Sequence, residues 1–196
     1  VAGTVLDVTE RKQLETRLSH QAYHDPLTGL SNRAHFLERL EEHQRQDTVA
    51  VLFIDLDNFK EVNDRLGHNA GDRVLCIIAE RLRLCLRDGD LAARLGGDEF
   101  TVLLQGLTAP HSVDSVARRI LQVLSEPIAI DGESVLITPS IGVAITTPDL
   151  DDTSEGLLRA ADTAMYRAKR DGKARYAVFS RDGSDDDDTL QLVKAS

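Results

Sequence analysis

The segment Arg94-Leu-Gly-Gly-Asp-Glu-Phe100 joins two short runs of strand-forming residues, 91–95 and 100–104. Glycines between two such runs predict a β-hairpin. Two adjacent carboxylates at its tip, Asp98 and Glu99, repel each other unless a cation lies beside them. Because glycine has no side chain, a ligand can approach the backbone closely at this turn. The hairpin alone leaves two interpretations open, a solvated acidic turn and a ligand site.

A second acidic segment follows an unbroken apolar run, residues 49–54, which predicts a strand covered on both faces. Asp55 and Asp57 stand at its carboxyl end, where α/β proteins bind ligands, and strand alternation leads us to expect only one of them in the cleft. If the hairpin lies beside this strand, Asp55 and Glu99 converge. Carboxylates with a backbone carbonyl are oxygen ligands suited to Mg²⁺. The residues favour metal-assisted phosphoryl or nucleotidyl transfer, and the absence of a Gly-x-x-x-x-Gly-Lys-Ser/Thr segment excludes a P-loop enzyme.

Polar residues after this strand extend the predicted site. Lys60 lies just past the strand end, where exposed backbone N–H groups would hold a phosphate. Asn63 lies one turn further along the same predicted helix, and Asp72 begins the next helix. An amide and a carboxylate together suit the edge of a purine, and a carboxylate suits the N–H groups of guanine. These residues are therefore compatible with a purine nucleotide as the ligand.

Apolar patterns in the rest of the chain predict alternating helices and strands. Helical patterns begin at about Ser31, which would cap the first helix, and recur at residues 59–66, 74–82, 113–124 and 157–168. A second hairpin is predicted from residues 128–130 and 135–137, Pro139 predicts an edge or a bulge, and residues 176–179 form the last strand. The order predicts an α/β sandwich in which helices surround a central mixed, mainly antiparallel sheet.

Size and charge limit the classes of protein. The chain has 196 residues and a net charge of −10, which suits one compact domain and opposes non-specific binding to nucleic acid or anionic lipid. A small anionic ligand remains compatible, because a bound metal overrides the overall charge locally. The apolar runs are far shorter than the ~18 residues of a membrane span, and no signal peptide is recognisable. We therefore expect a cytoplasmic domain without membrane contact.

The two ends of the chain have a different composition from its centre. Residues 1–22 combine a short strand pattern with an amphipathic helix pattern, which predicts the end of an upstream sensor domain and a connecting helix. Residues 181–196 contain four consecutive aspartates and have the composition of a disordered tail or linker. Residues 23–180 are then the folded domain.

Six motifs together resemble the GGDEF family, the diguanylate cyclases, and they occur in the family's order and spacing over about residues 23–179. They are Asp25-Pro-Leu-Thr-Gly-Leu-Ser-Asn-Arg33, Asp55-Leu-Asp-Asn-Phe-Lys-Glu-Val-Asn-Asp64, Gly67-His-Asn-Ala-Gly-Asp72, Arg94-Leu-Gly-Gly-Asp-Glu-Phe100, Ser140-Ile-Gly-Val-Ala144 and Ala161-Asp-Thr-Ala-Met-Tyr-Arg-Ala-Lys169. The resemblance implies a palm-like fold of the nucleotidyl cyclase type. The shorter motif Asp7-Val-Thr-Glu-Arg-Lys12 resembles the exit of a PAS sensor domain.

The resemblance implies roles at the matching positions. Asp55, Glu99 and the carbonyl of Leu56 would hold two divalent metals, Mg²⁺ or Mn²⁺. Asp98 would assist the metals or deprotonate an attacking 3′-hydroxyl. Asp57 would be structural.

The resemblance also implies a binding site for GTP. Its residues would be Asn58, Phe59, Lys60, Asn63, Asp72, Gly96, Gly97, Lys169 and Lys173. Asn63 and Asp72 would bind guanine, while the lysines would neutralise phosphates. Two positions depart from the family pattern, because Lys173 stands where an arginine is frequent and Asn58 replaces a common aromatic residue.

The implied reaction condenses two GTP molecules into the bacterial second messenger cyclic di-GMP, with release of two pyrophosphates, across a homodimer. Arg87 and Asp90 resemble the family's Arg-x-x-Asp site, at which the product inhibits the enzyme. Alternatives are a catalytically silent domain that binds GTP or cyclic di-GMP and regulates a neighbour, and another cyclase or polymerase with a similar fold.

Overall fold

The structure is a computed structural model that describes residues 22–107, 111–147, 150 and 152–180. The predicted upstream strand and connecting helix, the PAS-like motif and the acidic tail lie outside the described residues, so the division of the chain into three parts stays a prediction. No helix in the described ranges has the length and apolar character needed to cross a membrane.

Helices and strands alternate along the described residues. The helices are α1 (Arg33–Gln44), α2 (Phe59–Leu66), α3 (His68–Leu84), α4 (His111–Leu124) and α5 (Ser154–Arg170). The strands are β1 (Val49–Asp57), β2 (Leu91–Gly96), β3 (Glu99–Leu104), β4 (Ile128–Ile130), β5 (Glu133–Val135), β6 (Thr138–Thr146) and β7 (Tyr176–Val178).

Five of the strands form one sheet in the order β2-β3-β1-β6-β7, and β4 pairs with β5 in a separate hairpin. Strand β7 is parallel to β6, whereas the other neighbours in the sheet are antiparallel. Strand β1 lies in the middle because its apolar side chains are buried on both faces. The prediction of a mixed, mainly antiparallel sheet surrounded by helices is confirmed.

Helices cover both faces of this sheet. Helices α2, α3 and α4 share one apolar core with Leu52 and Ile54 of β1, while α1 and α5 share the other with Val51 and Phe53. This division follows from the alternation of side chains along a strand. Helix α5 lies directly on β6 at Gly142, because a Cβ there would come within 1.9 Å of the Ala161 carbonyl oxygen. The contact fixes the height of α5 over the sheet.

The predicted cap of the first helix is wrong by one residue. The N-cap of α1 is Asn32, whose Oδ1 accepts a hydrogen bond from the backbone N–H of His35 at 3.0 Å. Ser31 is instead held by β2, because its N–H donates to the carbonyl of Ala92 and its own carbonyl accepts from the N–H of Arg94. A pairing with a strand distant in sequence therefore determines where the helix begins.

One strand prediction also changes, and the prediction for Pro139 is confirmed as an edge rather than a bulge. The two-residue turn of the second hairpin is confirmed, but its second strand is β5 rather than residues 135–137. Pro139 lies within β6 opposite Leu56, and the pairing with β1 shows no bulge there. Strand β7 does not reach this part of β6, so Pro139 lies where β6 has a neighbour on one side only.

Candidate active site

Asp55 and Glu99 are directly opposite each other in the antiparallel pairing of β1 with β3, so the predicted convergence of the two carboxylates is confirmed. Burial raises the pKa of Asp55, and the nearby charges of Asp98 and Asp57 raise it further. Burial also raises the pKa of Glu99, with further contributions from Asp55, Asp162 and Asp98. Such an accumulation of negative charge favours a bound cation.

A lysine from α5 supplies one cation to this cluster. The Nζ of Lys169 donates to Oδ1 of Asp55 at 2.6 Å, and the two side chains are 30% and 13% exposed. The ammonium partly offsets the effect of burial, so the pKa of Asp55 is raised less than burial alone would raise it. The sequence placed Lys169 in the site, and the structure brings it to a carboxylate.

Asp57 has different partners from Asp55. Its carboxylate, in a residue only 5% exposed, accepts hydrogen bonds from Thr138 Oγ1, Ser140 Oγ and the N–H of Ala174. The expected separation of Asp55 from Asp57 by strand alternation is wrong, because residues two apart on a strand share a face. What distinguishes Asp57 is that its own buried carboxylate accepts three hydrogen bonds, two from side chains of β6 and one from the backbone after α5.

The tip of the first hairpin is attached to the start of the domain. Arg94 donates through Nε and Nη2 to the carbonyl of Gly97, at 3.0 and 2.7 Å, and through Nη1 to both oxygens of Asp25. Burial raises the pKa of Asp25, but hydrogen bonds from Thr28 and Arg94 outweigh it and lower the pKa overall. The sequence assigned no role to Arg94, and only its place in the signature could have marked it.

Leu56 and Asp98 meet through their backbones. The N–H of Leu56 donates to the carbonyl of Asp98 at 3.4 Å. The N–H and carbonyl of a strand residue point to the same side, so the Leu56 carbonyl is directed towards the hairpin. Gly96 and Gly97 are exposed at this turn, and Gly97 has a φ of 52°, which glycine adopts without strain.

A second group of predicted residues lies where α2 meets α3. Asn63 is half-buried and Asp72 is exposed. The side chain of Asn63 occupies the space above Gly71, since a Cβ on Gly71 would lie 1.9 Å from Asn63 Oδ1 and 3.2 Å from the ring of Phe59. Gly71, the residue before Asp72, thus lets α3 approach α2 closely at Asn63. Nothing in the sequence alone assigns Gly71 a role.

If Asn63 binds guanine, as the resemblance implies, Gly71→Ala should weaken GTP binding about tenfold, because the new methyl group displaces the Asn63 amide and costs that hydrogen bond. The protein should remain folded, since alanine is the better residue within a helix. Calorimetric titration with GTP and with ATP measures the effect. In the Asn63→Ala background the same change should cost little more, and an unaltered affinity in the wild-type background would contradict the assignment.

A third group surrounds the start of α2. Asn58 is the N-cap of α2 and has a left-handed conformation, with φ 60°. The first N–H groups of a helix have no acceptor within the helix, which favours an anion there. Phe59 packs its ring in the core, while Lys60 is exposed on the first turn. Lys173 Nζ donates to Asn58 Oδ1 at 2.7 Å, so a second cation lies beside this turn.

Arg87 and Asp90 lie at the other end of the β2–β3 hairpin. The Asp90 side chain is 3% exposed, and its oxygens accept from the backbone N–H groups of Gln105 and Arg87. Arg87 donates through Nη2 to the Gln105 carbonyl at 2.6 Å, although its side chain is 61% exposed. Asp90 therefore ties the two strands together, while Arg87 remains accessible.

The donor set agrees with a divalent metal bound partly by its substrate. Among the described residues, no group of three or more His, Cys, Asp or Glu side chains could enclose a metal. The chemistry of Asp55, Glu99 and the Leu56 carbonyl suits a hard cation that completes its shell with water and phosphate oxygens.

Comparisons with known proteins agree with this architecture. A family model described as "Diguanylate cyclase, GGDEF domain" matches residues 22–175. The chain is 49% identical over 162 residues to "Diguanylate cyclase TpbB" of Pseudomonas aeruginosa, covering 80% of this chain and 37% of TpbB. It is 42% identical over 169 residues to "Cyclic di-GMP phosphodiesterase NbdA" of the same species, covering 84% of this chain and 21% of NbdA.

Solved structures show the same fold. The GGDEF domain of TpbB is 43% identical with a TM-score of 0.77, and the match covers 88% of this chain and 99% of that one. The coiled coil and GGDEF domain of DgcB from Caulobacter crescentus, solved in complex with cyclic di-GMP, is 26% identical with a TM-score of 0.76, covering 88% and 93%. The fold is thus a palm-like α/β fold with an acidic hairpin beside its central strand. The chain belongs to the GGDEF family of diguanylate cyclases.

Proposed function

We propose that this chain is an active diguanylate cyclase domain, which condenses two GTP into cyclic di-GMP and two pyrophosphates. The observation that carries the proposal is the pairing of Asp55 with Glu99 across β1 and β3, with Lys169 beside them. The name of TpbB supports the same reaction.

The acidic cluster would perform the chemistry. Two divalent ions, Mg²⁺ or Mn²⁺, held by Asp55, Glu99 and the Leu56 carbonyl, would stabilise charge on the attacking and leaving oxygens. Asp98 would support this arrangement or accept the proton of the 3′-hydroxyl. Lys169, whose ammonium contacts Asp55, would turn to the phosphates of the bound nucleotide.

The other groups would bind and orient GTP. Asn63 and Asp72 would accept and donate hydrogen bonds at the guanine edge, and Gly96 and Gly97 would let the ribose and the α-phosphate approach the hairpin backbone. The start of α2, with the N–H groups near Asn58 and Phe59, would hold the terminal phosphates together with Lys60, Lys169 and Lys173.

One domain would bind one GTP, so the reaction requires two domains face to face in a homodimer, each supplying the 3′-hydroxyl that attacks the other's α-phosphate. Residues 1–22 would connect the domain at 23–180 to an upstream PAS-type sensor, and residues 181–196 would be a tail or linker. The domain would be cytoplasmic, and its net charge of −10 opposes non-specific binding to nucleic acid or anionic lipid.

Incubation of the purified protein with GTP and Mg²⁺, followed by chromatographic separation of the products, tests the proposal. Formation of cyclic di-GMP and pyrophosphate is the expected result. Binding of GTP without product would favour the second candidate, a silent regulatory domain that binds GTP or cyclic di-GMP. The 42% identity to NbdA, whose name is that of a phosphodiesterase, is the observation in favour of that candidate.

We also propose that cyclic di-GMP inhibits the domain at Arg87 and Asp90. A guanidinium binds a phosphate or a guanine edge with two hydrogen bonds, and Arg87 is the exposed member of the pair.

We expect Arg87→Ala to weaken cyclic di-GMP binding about tenfold and to raise the amount of product that accumulates, with GTP affinity little altered. Calorimetry measures both affinities, and Arg45→Ala, which removes an exposed arginine at the C-cap of α1, is the control. Indistinguishable isotherms for wild type and Arg87→Ala would return Arg87 to a structural role.

A further inference from the structure

Three consecutive residues after α5 have left-handed backbone conformations. The φ angles are 114° for Gly172, 60° for Lys173 and 49° for Ala174. Residues with a Cβ rarely adopt this region, so Lys173 and Ala174 hold it only where surrounding contacts impose it. These residues, 172–174, are called the lysine loop below.

One of the contacts that hold the lysine loop comes from the buried carboxylate of Asp57. Oδ2 of Asp57 accepts the N–H of Ala174 at 3.1 Å, and it also accepts the hydroxyl of Thr138 at 2.8 Å. Oδ1 accepts the hydroxyl of Ser140 at 2.7 Å. Strand β6 therefore fixes the carboxylate, and the carboxylate in turn fixes the loop. Asp57 and Ala174 are 117 residues apart in the sequence.

The side chain of the middle residue of the lysine loop is bound by Asn58, the residue that follows Asp57. Lys173 Nζ donates to Asn58 Oδ1 at 2.7 Å, and Asn58 is the N-cap of α2. Asp57 and Asn58 thus hold the same loop by its backbone and by its ammonium. The two positions at which this chain departs from the family pattern, Asn58 and Lys173, are partners of each other.

We propose that Asp57 is a positioning residue for phosphate binding. It holds the lysine loop in its left-handed conformation, so that the ammonium of Lys173 lies at the start of α2, where the terminal phosphates of GTP bind. This inference rests on the proposed function of Lys173 and α2. Asp57 itself touches neither metal nor substrate.

The partners of Asp57 are of two kinds, side-chain hydroxyls and a backbone N–H. This difference allows a variant that keeps the bond to the loop to be compared with one that loses it. Thr138 and Ser140 carry hydroxyls, which either donate or accept, whereas the N–H of Ala174 only donates. An asparagine can therefore keep its oxygen on Ala174 and turn its amide to the Ser140 hydroxyl. Asp57→Asn preserves the bond to the loop, and Asp57→Ala removes it.

The test compares Asp57→Ala, Asp57→Asn, Lys173→Ala and the double variant Asp57→Ala/Lys173→Ala. Calorimetry measures the affinities for GMP and for α,β-methylene GTP, which cannot release pyrophosphate. The ratio of these affinities reports the terminal phosphates alone. Hydrogen exchange at the Ala174 amide reports the loop, and thermal unfolding shows that each variant is folded. Thr138→Val is the matched control, because it removes a bond to the same carboxylate without touching the loop.

We expect Asp57→Ala to lower the affinity for the triphosphate about tenfold, to leave GMP binding unchanged and to speed exchange at Ala174. Asp57→Asn should keep most of the triphosphate affinity, and Asp57→Ala should add nothing in the Lys173→Ala background. Equal losses for GMP and triphosphate, or a loss in Thr138→Val as large as in Asp57→Ala, would overturn the proposal. An unaltered ratio in Lys173→Ala would instead refute the phosphate role of Lys173, and unaltered exchange in Asp57→Ala would refute the hold on the loop.

Discussion

Glu99→Gln is expected to reduce synthesis of cyclic di-GMP at least a hundredfold while the domain stays folded. A neutral amide lacks the charge that a divalent cation requires from its ligands. Glu99 is the first residue of β3 and is only half-buried, and an isosteric amide fits the same space. Product formation is measured by chromatography next to thermal unfolding of the same samples.

The direction in which Glu99→Gln changes the free energy of unfolding follows from the pKa of Glu99. Burial and the neighbouring carboxylates raise the pKa of Glu99. The folded state therefore holds the proton more tightly than the unfolded state, and wild-type stability falls as the pH rises from the ordinary to the raised pKa. The glutamine variant lacks this loss, so without divalent metal its free energy of unfolding at pH 7 should equal or exceed that of the wild type. Glu80→Gln, an exposed change on α3, is the control. Turnover by Glu99→Gln above a tenth of wild type would refute the metal-ligand assignment.

Gly142→Ala is expected to destabilise the domain by about 3 kcal/mol or more, because a Cβ there meets backbone atoms that cannot turn aside. The new carbon would lie 1.9 Å from the Ala161 carbonyl oxygen and 2.2 Å from the Met165 nitrogen. Helix α5 must then move off β6, and it carries Lys169 away from Asp55. Urea unfolding measures the loss of stability.

The control for Gly142→Ala is Gly132→Ala in the turn between β4 and β5. Gly132 has a φ of 85°, and a Cβ there would meet nothing within 4 Å. Its cost is therefore backbone strain alone, about 1–2 kcal/mol. Equal losses of stability in the two variants would show that the approach of α5 to β6 at Gly142 is looser than the structure indicates.

Much of the fold follows from local patterns in the sequence. The apolar run before Asp55 predicts a strand covered on both faces, and the glycines after Arg94 predict a hairpin. The convergence of Asp55 with Glu99 needs only the further condition that these elements are neighbours. The start of α1 was predicted less well, because Ser31 resembles a cap in sequence but pairs with β2 in the structure.

Some residues of the candidate site can also be recognised from the sequence, and others only from the structure. Asp55, Glu99, Asn63 and Asp72 stand out in the sequence, because their functional groups and their places relative to strands and helices suggest a ligand. Arg94 and Gly71 do not stand out, since their importance lies in what they touch. Arg94 bonds to Asp25, 69 residues away, and Gly71 leaves room for Asn63. Such pairs have no periodicity or spacing that a single sequence reveals.

The sequence by itself determined the type of sheet, the acidic hairpin and the membership of the family, because each rests on patterns and motifs that are local in the chain. The position of the hairpin beside the central strand came from the structure. Only the tertiary structure decided which partners each carboxylate has. Asp55 and Asp57 share a strand, a face and a charge, yet one contacts Lys169 and the other is enclosed by Thr138, Ser140 and Ala174. The physical reason is that a carboxylate's role depends on the donors around it, and folding brings those donors from distant parts of the chain.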